Sequence, residues 1–365
     1  MTTLKGLKGT TIQFRDEDPV VNGGTWSAGG DLNTARHSSA RGTTGIQTAG
    51  IASGGSGVTA NTEQYNGSAW SEVNNLNTAR KAQASCATSY TALVVAGGGT
   101  PSLVAVTESF DGTNWTEVND INTARQQFSG AGTQTAGLVF GGATPPATAV
   151  TELWNGSTWT EVNDLNEGLA GVSGAGTQTA AFMVASTQHE QWNGSSWTET
   201  TELNTSRSNL ASVGTTTASL AFGGEGPAGI GALTESWDGS SWTEVADLAT
   251  VTYTNSGAGT NTLALNFTND PGPGAVAGTE EWSFPPVTAS IVQEGDMWFN
   301  SASSALKGYA LSAPGGTWAS GGSLNTAKYQ LGTAGTQTAT LAFGGSTPPY
   351  TATNESYNGT SWTEL

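Results

Sequence analysis

A tryptophan recurs along this chain at nearly constant spacing, and no other feature restricts the fold so much. Trp26, Trp70, Trp115, Trp159, Trp197, Trp242, Trp318 and Trp362 are separated by steps of 44, 45, 44, 38, 45, 76 and 44 residues. Each step is one structural unit repeated, so the chain must be an array rather than a single irregular core. A period near 44 falls in the range of propeller blades. The 76-residue step is an ordinary unit carrying 32 extra residues, and seven steps mean seven repeats.

The unit from Gln126 to Trp159 can be read strand by strand. Gln127-Phe-Ser-Gly-Ala-Gly132 is rich in small residues and suits an inner strand close to an axis, where bulky side chains would collide. Thr133-Gln-Thr135 is a turn, and Ala136-Gly-Leu-Val-Phe140 is a buried strand ended by Gly141-Gly142. After the loop Ala143-Thr-Pro-Pro-Ala147 comes a third strand, Ala149 to Trp154. Asn155-Gly156 is the preferred pair of a two-residue type I′ hairpin, in which both positions need positive φ. Thr158-Trp-Thr-Glu-Val162 is then an outer strand, and Asn163 to Glu167 crosses to the next unit. Four antiparallel strands per repeat make a blade. No segment sustains a 3.6-residue apolar period, so almost no helix is expected.

Two further elements recur. The crossing segment reads Leu32-Asn-Thr-Ala-Arg36, Leu76-Asn-Thr-Ala-Arg80, Ile121-Asn-Thr-Ala-Arg125, Leu203-Asn-Thr-Ser-Arg207 and Leu324-Asn-Thr-Ala-Lys328, and is lost at Leu165-Asn-Glu-Gly168 and Leu248-Ala-Thr250. The third strands carry Glu63-Gln-Tyr65, Glu108-Ser-Phe110, Glu152-Leu-Trp154, Glu235-Ser-Trp237 and Glu355-Ser-Tyr357. Gly-Gly stands at 54–55, 97–98, 141–142, 223–224 and 344–345, with Ala185-Ser186 and Asn266-Phe267 read as its counterparts in the fourth and sixth units. Gly-Gly, Glu-x-aromatic, Asn/Asp-Gly and Trp together resemble the kelch repeat over about residues 25–365. The resemblance implies an all-β, seven-bladed propeller of four-stranded antiparallel blades. It implies nothing about activity, because one fold carries many.

Residues 1–24 lie before the periodic region and read as an N-terminal arm containing a short strand, Thr10-Thr-Ile-Gln-Phe-Arg15. The extra residues, about 284–316, read as a β-hairpin insertion: Gly295-Asp-Met-Trp-Phe-Asn300, a turn, and Leu306-Lys-Gly-Tyr-Ala310. That motif resembles one in structural and fibre proteins of marine tailed phages, where Trp-rich repeats also occur. Seven third strands against eight tryptophan motifs leave one motif surplus. Ser361-Trp-Thr-Glu-Leu365 follows its own hairpin at Asn358-Gly359, so Trp362 is expected as the outer strand of blade seven. Trp26 would then pack beside it or lead in, and the insertion would lie between the third and fourth strands of blade six.

The formal net charge is −18, spread over the repeats, which argues against nucleic acid or an anionic membrane as partner. No apolar run approaches a membrane span, and Met1 to Lys5 opens no signal-peptide pattern. The chain is therefore expected to be made in a cytoplasm. Cys86, the single cysteine, excludes an intrachain disulfide and reads as a buried structural thiol. Two histidines in different repeats, His37 and His189, suggest no metal site and no cofactor. Ser109-Phe-Asp-Gly-Thr-Asn-Trp115 comes near a sialidase-type turn but lacks a residue between Asp and Gly, and Asn-Gly-Ser/Thr triplets are explained as turns.

Repetition argues against a catalytic role for the in-register glutamates, which are expected to pair with backbone amides or with the recurring cations. Those cations, Arg36, Arg80, Arg125, Arg207 and Lys328, could instead ring one face and hold an anion. Trp298, Phe299 and Tyr309 in the insertion are required by no repeat and are the other candidates for binding a subunit or a sugar. The expected function is non-enzymatic: a phage virion protein, a tail fibre or surface adhesin meeting host glycans or a receptor. The arm or insertion would hold it to other virion proteins, with a homo-oligomer as a further arrangement. A glycan-active enzyme and a purely architectural capsid or tail decoration protein are the alternatives.

Overall fold

The computed structural model describes residues 13–15, 24–284 except 273, 297–300, 305–308, 324, 332–336, 339–343, 354–358 and 361–365. These residues are strand, turn and loop, with no helix among them. The chain divides into two compact units, one of residues 18–292 and one of residues 1–17 together with 293–365.

The larger unit is a β-propeller of six blades, not seven. Blade three shows the pattern: Ser129–Gly132, Gly137–Phe140, Thr151–Trp154 and Trp159–Glu161 pair in sequence order, antiparallel throughout. Blades two, four and five repeat it, beginning at Ala84–Ser89, Ser173–Thr177 and Ala211–Thr215. In blade one the inner strand is broken into Arg41–Gly42 and Gly45–Ile46. The first piece pairs in parallel with the inner strand of blade two, and the second with Ala49–Ser53 of its own blade.

Blade six holds the correction. Its first three strands are Ser256–Gly259, Leu263–Phe267 and Glu280–Ser283, and its fourth is Thr25–Ala28, from the start of the propeller's own sequence. Trp26 lies opposite Trp282 in that pairing, so the surplus tryptophan motif closes the ring instead of leading into it. The insertion consequently follows the last strand of a finished propeller and does not interrupt a blade. The indole Nε1 of Trp26 donates to Thr234 Oγ1 of blade five at 3.1 Å. Trp197 reaches Thr151 of blade three in the same way, and Trp70 reaches Thr279 of blade six. The Gln47 amide of blade one donates to Ala264 and Trp282 carbonyls of blade six, a second stitch across the closure.

A ring of main-chain hydrogen bonds shows why the count is six. The N–H of Ser38 donates to the carbonyl of Thr254, Thr254 to Asn209, Asn209 to Gly171, Gly171 to Gln127, Gln127 to Ala82, and Ala82 back to Ser38, all at 2.7–2.9 Å. One residue per blade contributes, and the circuit leaves no donor or acceptor for a seventh. Every member has positive φ, between 53° and 69°, although only Gly171 is glycine. Such a conformation costs an L-residue roughly 1–2 kcal/mol, and the ring bonds hold it.

The small residues of the inner strands let the blades approach. A Cβ on Gly130 would stand 2.4 Å from Ser85 O of the neighbouring blade. Outside this ring each gap between blades is filled by a cluster of aromatic and aliphatic side chains, such as Phe140, Trp192 and Trp197 with Leu138 and Met183.

The hairpins before the outer tryptophans are not type I′. At Asn155-Gly156 only the glycine has positive φ, 91°, and the same holds at Gly67, Gly112, Gly194 and Gly239. The Asn155 side-chain Oδ1 instead accepts from Ser157 N and Thr158 N, and Trp154 faces Trp159 across the loop. Asparagine serves here as a hydrogen-bond acceptor rather than as a residue tolerant of positive φ. In blade six the Gly-Gly counterpart is Thr268-Asn269, two residues beyond the pair expected, with Thr268 at φ 55°.

Among its described residues the smaller unit contains two sheets. In the first, Gln13–Arg15 of the arm lies parallel to Met297–Asn300, with Gln13 opposite Trp298 and Phe14 opposite Phe299. Met297–Asn300 is antiparallel to Ala305–Gly308, the expected hairpin. The second is the seventh repeat, Gly332–Thr336, Ala339–Phe343, Asn354–Tyr357 and Trp362–Glu364, a four-stranded sheet of its own. Trp362 does pair with Tyr357 of its own repeat, as its adjacent hairpin implied.

Candidate functional site

The recurring arginines and glutamates meet in pairs. Arg36 contacts Glu63 at 2.5 Å, Arg80 contacts Glu108 at 3.0 Å, Arg125 contacts Glu152 at 2.5 Å and Arg207 contacts Glu235 at 3.1 Å. The crossing segment before each inner strand thereby clasps the third strand of the same blade. The asparagine of the segment completes the clasp: in blade two, Asn77 N and Nδ2 donate to Glu108 Oε2 at 2.7 and 2.9 Å. All four arginine side chains are at most 3% exposed, so they do not form the open cationic ring that an anionic ligand could reach. Burial depresses each guanidinium pKa and the paired glutamate opposes it. Lys328 and Tyr309 lie outside the described residues. Trp298 and Phe299 are placed only as neighbours in the arm–hairpin sheet.

Two blades break the clasp differently. Blade four keeps Asn166, which donates to Glu190 Oε2, but has Leu169 at the arginine position, and Glu190 Oε1 is buried without a hydrogen-bond partner. Its neighbour His189 occupies the place of the threonines at 62, 107, 151, 234 and 279. The Trp242 indole of blade five points at His189 Nδ1, 3.3 Å away. Nδ1 also lies 2.8 Å from Thr200 Oγ1 and 3.3 Å from the Thr201 carbonyl oxygen. Burial holds this imidazole far below its ordinary pKa, at about 4. His189 is thus a packing residue, a feature that the lone histidine in the sequence did not disclose. Cys86 is buried as expected, its thiol pKa pushed up to about 12 by burial.

Non-repeated chemistry gathers at one mouth of the propeller. The residues immediately before the six ring positions are His37, Lys81, Gln126, Ala170, Ser208 and Tyr253, all different and none buried. The main-chain ring holds their backbones in equivalent places, and Lys81, Gln126, Ser208 and Tyr253 each bridge to the segment that follows the second strand of their own blade. His37 is the best defined: Nε2 lies 3.5 Å from Asp270 Oδ2, and Nδ1 is 3.0 Å from Ser38 Oγ and 3.2 Å from Thr254 Oγ1. Burial lowers the His37 pKa; Asp270 raises it, and Lys81 and Arg41 lower it further. The Tyr253 N–H donates to the Asp270 carbonyl at 3.1 Å, which ties the loop carrying Asp270 to the mouth.

Beneath the mouth the broken inner strand of blade one reaches the axis. Thr43 N and Oγ1 donate to Gly130 and Gly132 carbonyls of blade three, and Thr44 Oγ1 to Gly257 of blade six. A Cβ on Gly42 would stand 2.2 Å from Gly130 O, so glycine is required there. Arg41 is enclosed beside them. Its Nη2 donates to Asn209 Oδ1 at 3.1 Å, and it makes no ion pair among the described residues. Burial lowers its pKa to about 10, so it remains charged at neutral pH and contributes a positive potential along the axis.

Among the described residues no group of three or more His, Cys, Asp or Glu side chains is arranged to hold a metal ion. The variable loops around Pro145-Pro146 and Pro227 join second to third strands, as does the loop bearing Asp270. Comparison with known proteins returns no matching family model and no similar curated protein.

Proposed function

We propose that this chain is a non-enzymatic structural protein of a phage particle, a tail-fibre or surface-exposed adhesin whose propeller mouth binds a glycan or receptor of the host surface. The observation that carries the binding role is the mouth: six equivalent backbone positions bear an imidazole, an ammonium, an amide, a methyl, a hydroxyl and a phenol. A polyhydroxylated ligand is read by a few convergent donors and acceptors on a rigid, pre-formed frame, and the closed ring supplies that frame. Glycoside hydrolysis calls for two carboxylates flanking the bond. Asp270 at the mouth is instead engaged with His37, which favours binding over turnover.

The phage setting is supported by the likeness of the Gly295–Ala310 motif and the Trp-rich repeats to marine tailed-phage proteins. The Gly-Gly, Glu-x-aromatic and Trp pattern supports relating the blades to kelch repeats. Attachment to other virion proteins is assigned to the arm and hairpin, which meet in one sheet.

A glycan array probed with the full chain tests the reading. Retention of a defined glycan, lost in Tyr253→Ala and Lys81→Ala and unaccompanied by product release, is the expected result. Release of shortened glycans would make the chain an enzyme. No retention, with the protein buried in purified particles, would reduce it to an architectural part.

A further inference from the structure

On the face opposite the mouth, the seams between blades are bridged by glutamine, with one exception. In a four-stranded blade the turn from first to second strand and the turn from third to fourth strand share that face. At five of the six seams a glutamine amide there donates to a main-chain carbonyl of the adjacent blade. Gln134 and Gln178 reach from inner-strand turns to Phe110 O and Trp154 O, and Gln47 reaches Trp282 O across the closure. Gln64 and Gln191 reach from third strands to Tyr90 O and Thr216 O of the following blade. At the seam between blades five and six the same two positions hold Ser236 and Asn261, both shorter than glutamine. Among the described residues neither side chain has a hydrogen-bond partner.

A cavity of about 180 Å³ occupies this seam, lined by Ser236 and Asn261 themselves, by Asp238, Thr243 and Val245 of blade five, and by Phe284. Phe284 is a second departure from the repeat. It stands where the other blades have the hairpin glycine, at Gly67, Gly112, Gly156, Gly194 and Gly239. Blade six has no hairpin at this place, because its fourth strand is Thr25–Ala28. The Phe284 N–H donates to Thr262 O at 2.8 Å, which ties it to the turn that carries Asn261. Phe284 is 38% exposed, so part of its ring is open to a ligand. The Ser241 and Ser240 N–H groups both donate to Asp238 Oδ1 at 2.8 Å and hold its carboxyl below the usual range. An ionised acceptor is thereby fixed at the rim.

We propose that this unbridged seam binds one neutral hexopyranose residue. The sugar hydroxyls meet Ser236, Thr243, the Asn261 amide and the Asp238 carboxylate, and the apolar face of the sugar ring lies on Phe284. A few polar groups beside an apolar wall are what fix the orientation of a small ligand in a pocket. A cavity of about 150 Å³ holds benzene, so this one takes a six-membered ring. Asp238 is the one charged residue in the lining, which disfavours an anionic sugar. The site lies on the face opposite His37 and Tyr253, and the inference does not rest on the mouth being a binding surface.

The test is saturation-transfer NMR and calorimetric titration of the full chain with the methyl glycosides of glucose, galactose, mannose and N-acetylglucosamine. Saturable binding of at least one is expected. Phe284→Ala and Asn261→Ala should each weaken it about tenfold. Ser236→Gln, which restores the glutamine of blades one and four, should abolish it. Absence of saturable binding by all four sugars, or binding unchanged in either Phe284→Ala or Ser236→Gln, would overturn the proposal. Phe284 is exposed, so Phe284→Ala decides the matter even if Ser236→Gln does not fold. A sugar lost in Tyr253→Ala and retained in Ser236→Gln belongs to the mouth, and would overturn the seam site while leaving the mouth reading in place.

Discussion

At the residue scale the informative positions are buried charges and the places where their partners change. Arg80 and Glu108 are both 0% exposed. Removing one member of such a pair strands the other, at a cost of about 3–5 kcal/mol. Arg80→Met should therefore lower the stability of the propeller by that amount in urea unfolding, and the double variant with Glu108→Leu should recover most of it. His189 offers a pH readout. Its pKa falls from 6.5 unfolded to about 4 folded. A depressed base contributes stability that is complete above the unfolded value and is lost as pH falls towards the folded one. On the order of 3 kcal/mol should thus disappear between pH 6.5 and 4. Glu190 and Glu280, held above their ordinary range, act in the opposite sense: their contribution is lost as pH rises. The difference between wild type and His189→Thr isolates the histidine, and that variant should show the shallower acid limb. The arginine–glutamate pairing was legible from repetition alone. The role of His189 was not, because alignment in register with five threonines gains meaning only when the neighbouring blade's Trp242 is seen to donate to it.

At the element scale one strand decides closure. Thr25–Ala28 supplies the outer edge of blade six, with Trp26 packed on Phe222 at 4.9 Å and Trp282 at 5.5 Å between ring centroids. Deleting residues 1–28 should expose the Glu280–Ser283 edge. An unpaired edge is a template for association, so the truncated chain should melt lower and aggregate on light scattering, whereas deletion of residues 1–17 should leave the propeller transition in place. Trp26→Ala, at a half-buried site, should cost about 2 kcal/mol, below the range for fully buried aromatics. The strands themselves were readable from the repeat, down to the small-residue inner strand and the tryptophan outer strand. The hairpin type was misjudged because Asn-Gly has two uses in a turn, and the asparagine side chain here captures the two amides that follow the glycine.

At the scale of the whole molecule, six blades close on themselves within residues 18–292. A chain of those residues should fold alone, with one cooperative melting transition matching that of the propeller in the full chain and a monomeric mass in solution. A fragment that is largely unfolded would show that the remaining residues are needed for closure. The mouth chemistry belongs to this scale too. His37 and Asp270 are 233 positions apart in sequence and 3.5 Å apart in space, and no local motif joins them.

The sequence by itself determined the blade: its four strands, their order, the glutamate clasp and the tryptophan that packs one blade on the next. These are contacts within one period or between adjacent periods, and each is written out several times. It did not determine how many blades share an axis. Seven repeats admit a seven-membered ring, and an eighth tryptophan motif admits closure from either end. Only the tertiary structure decides, through the hydrogen-bond circuit from Ser38 to Thr254 and the return of Thr25–Ala28 to blade six. That circuit has six members, the seventh repeat pairs as a sheet of its own, and Met297–Asn300 and Ala305–Gly308 form the hairpin that pairs with the arm.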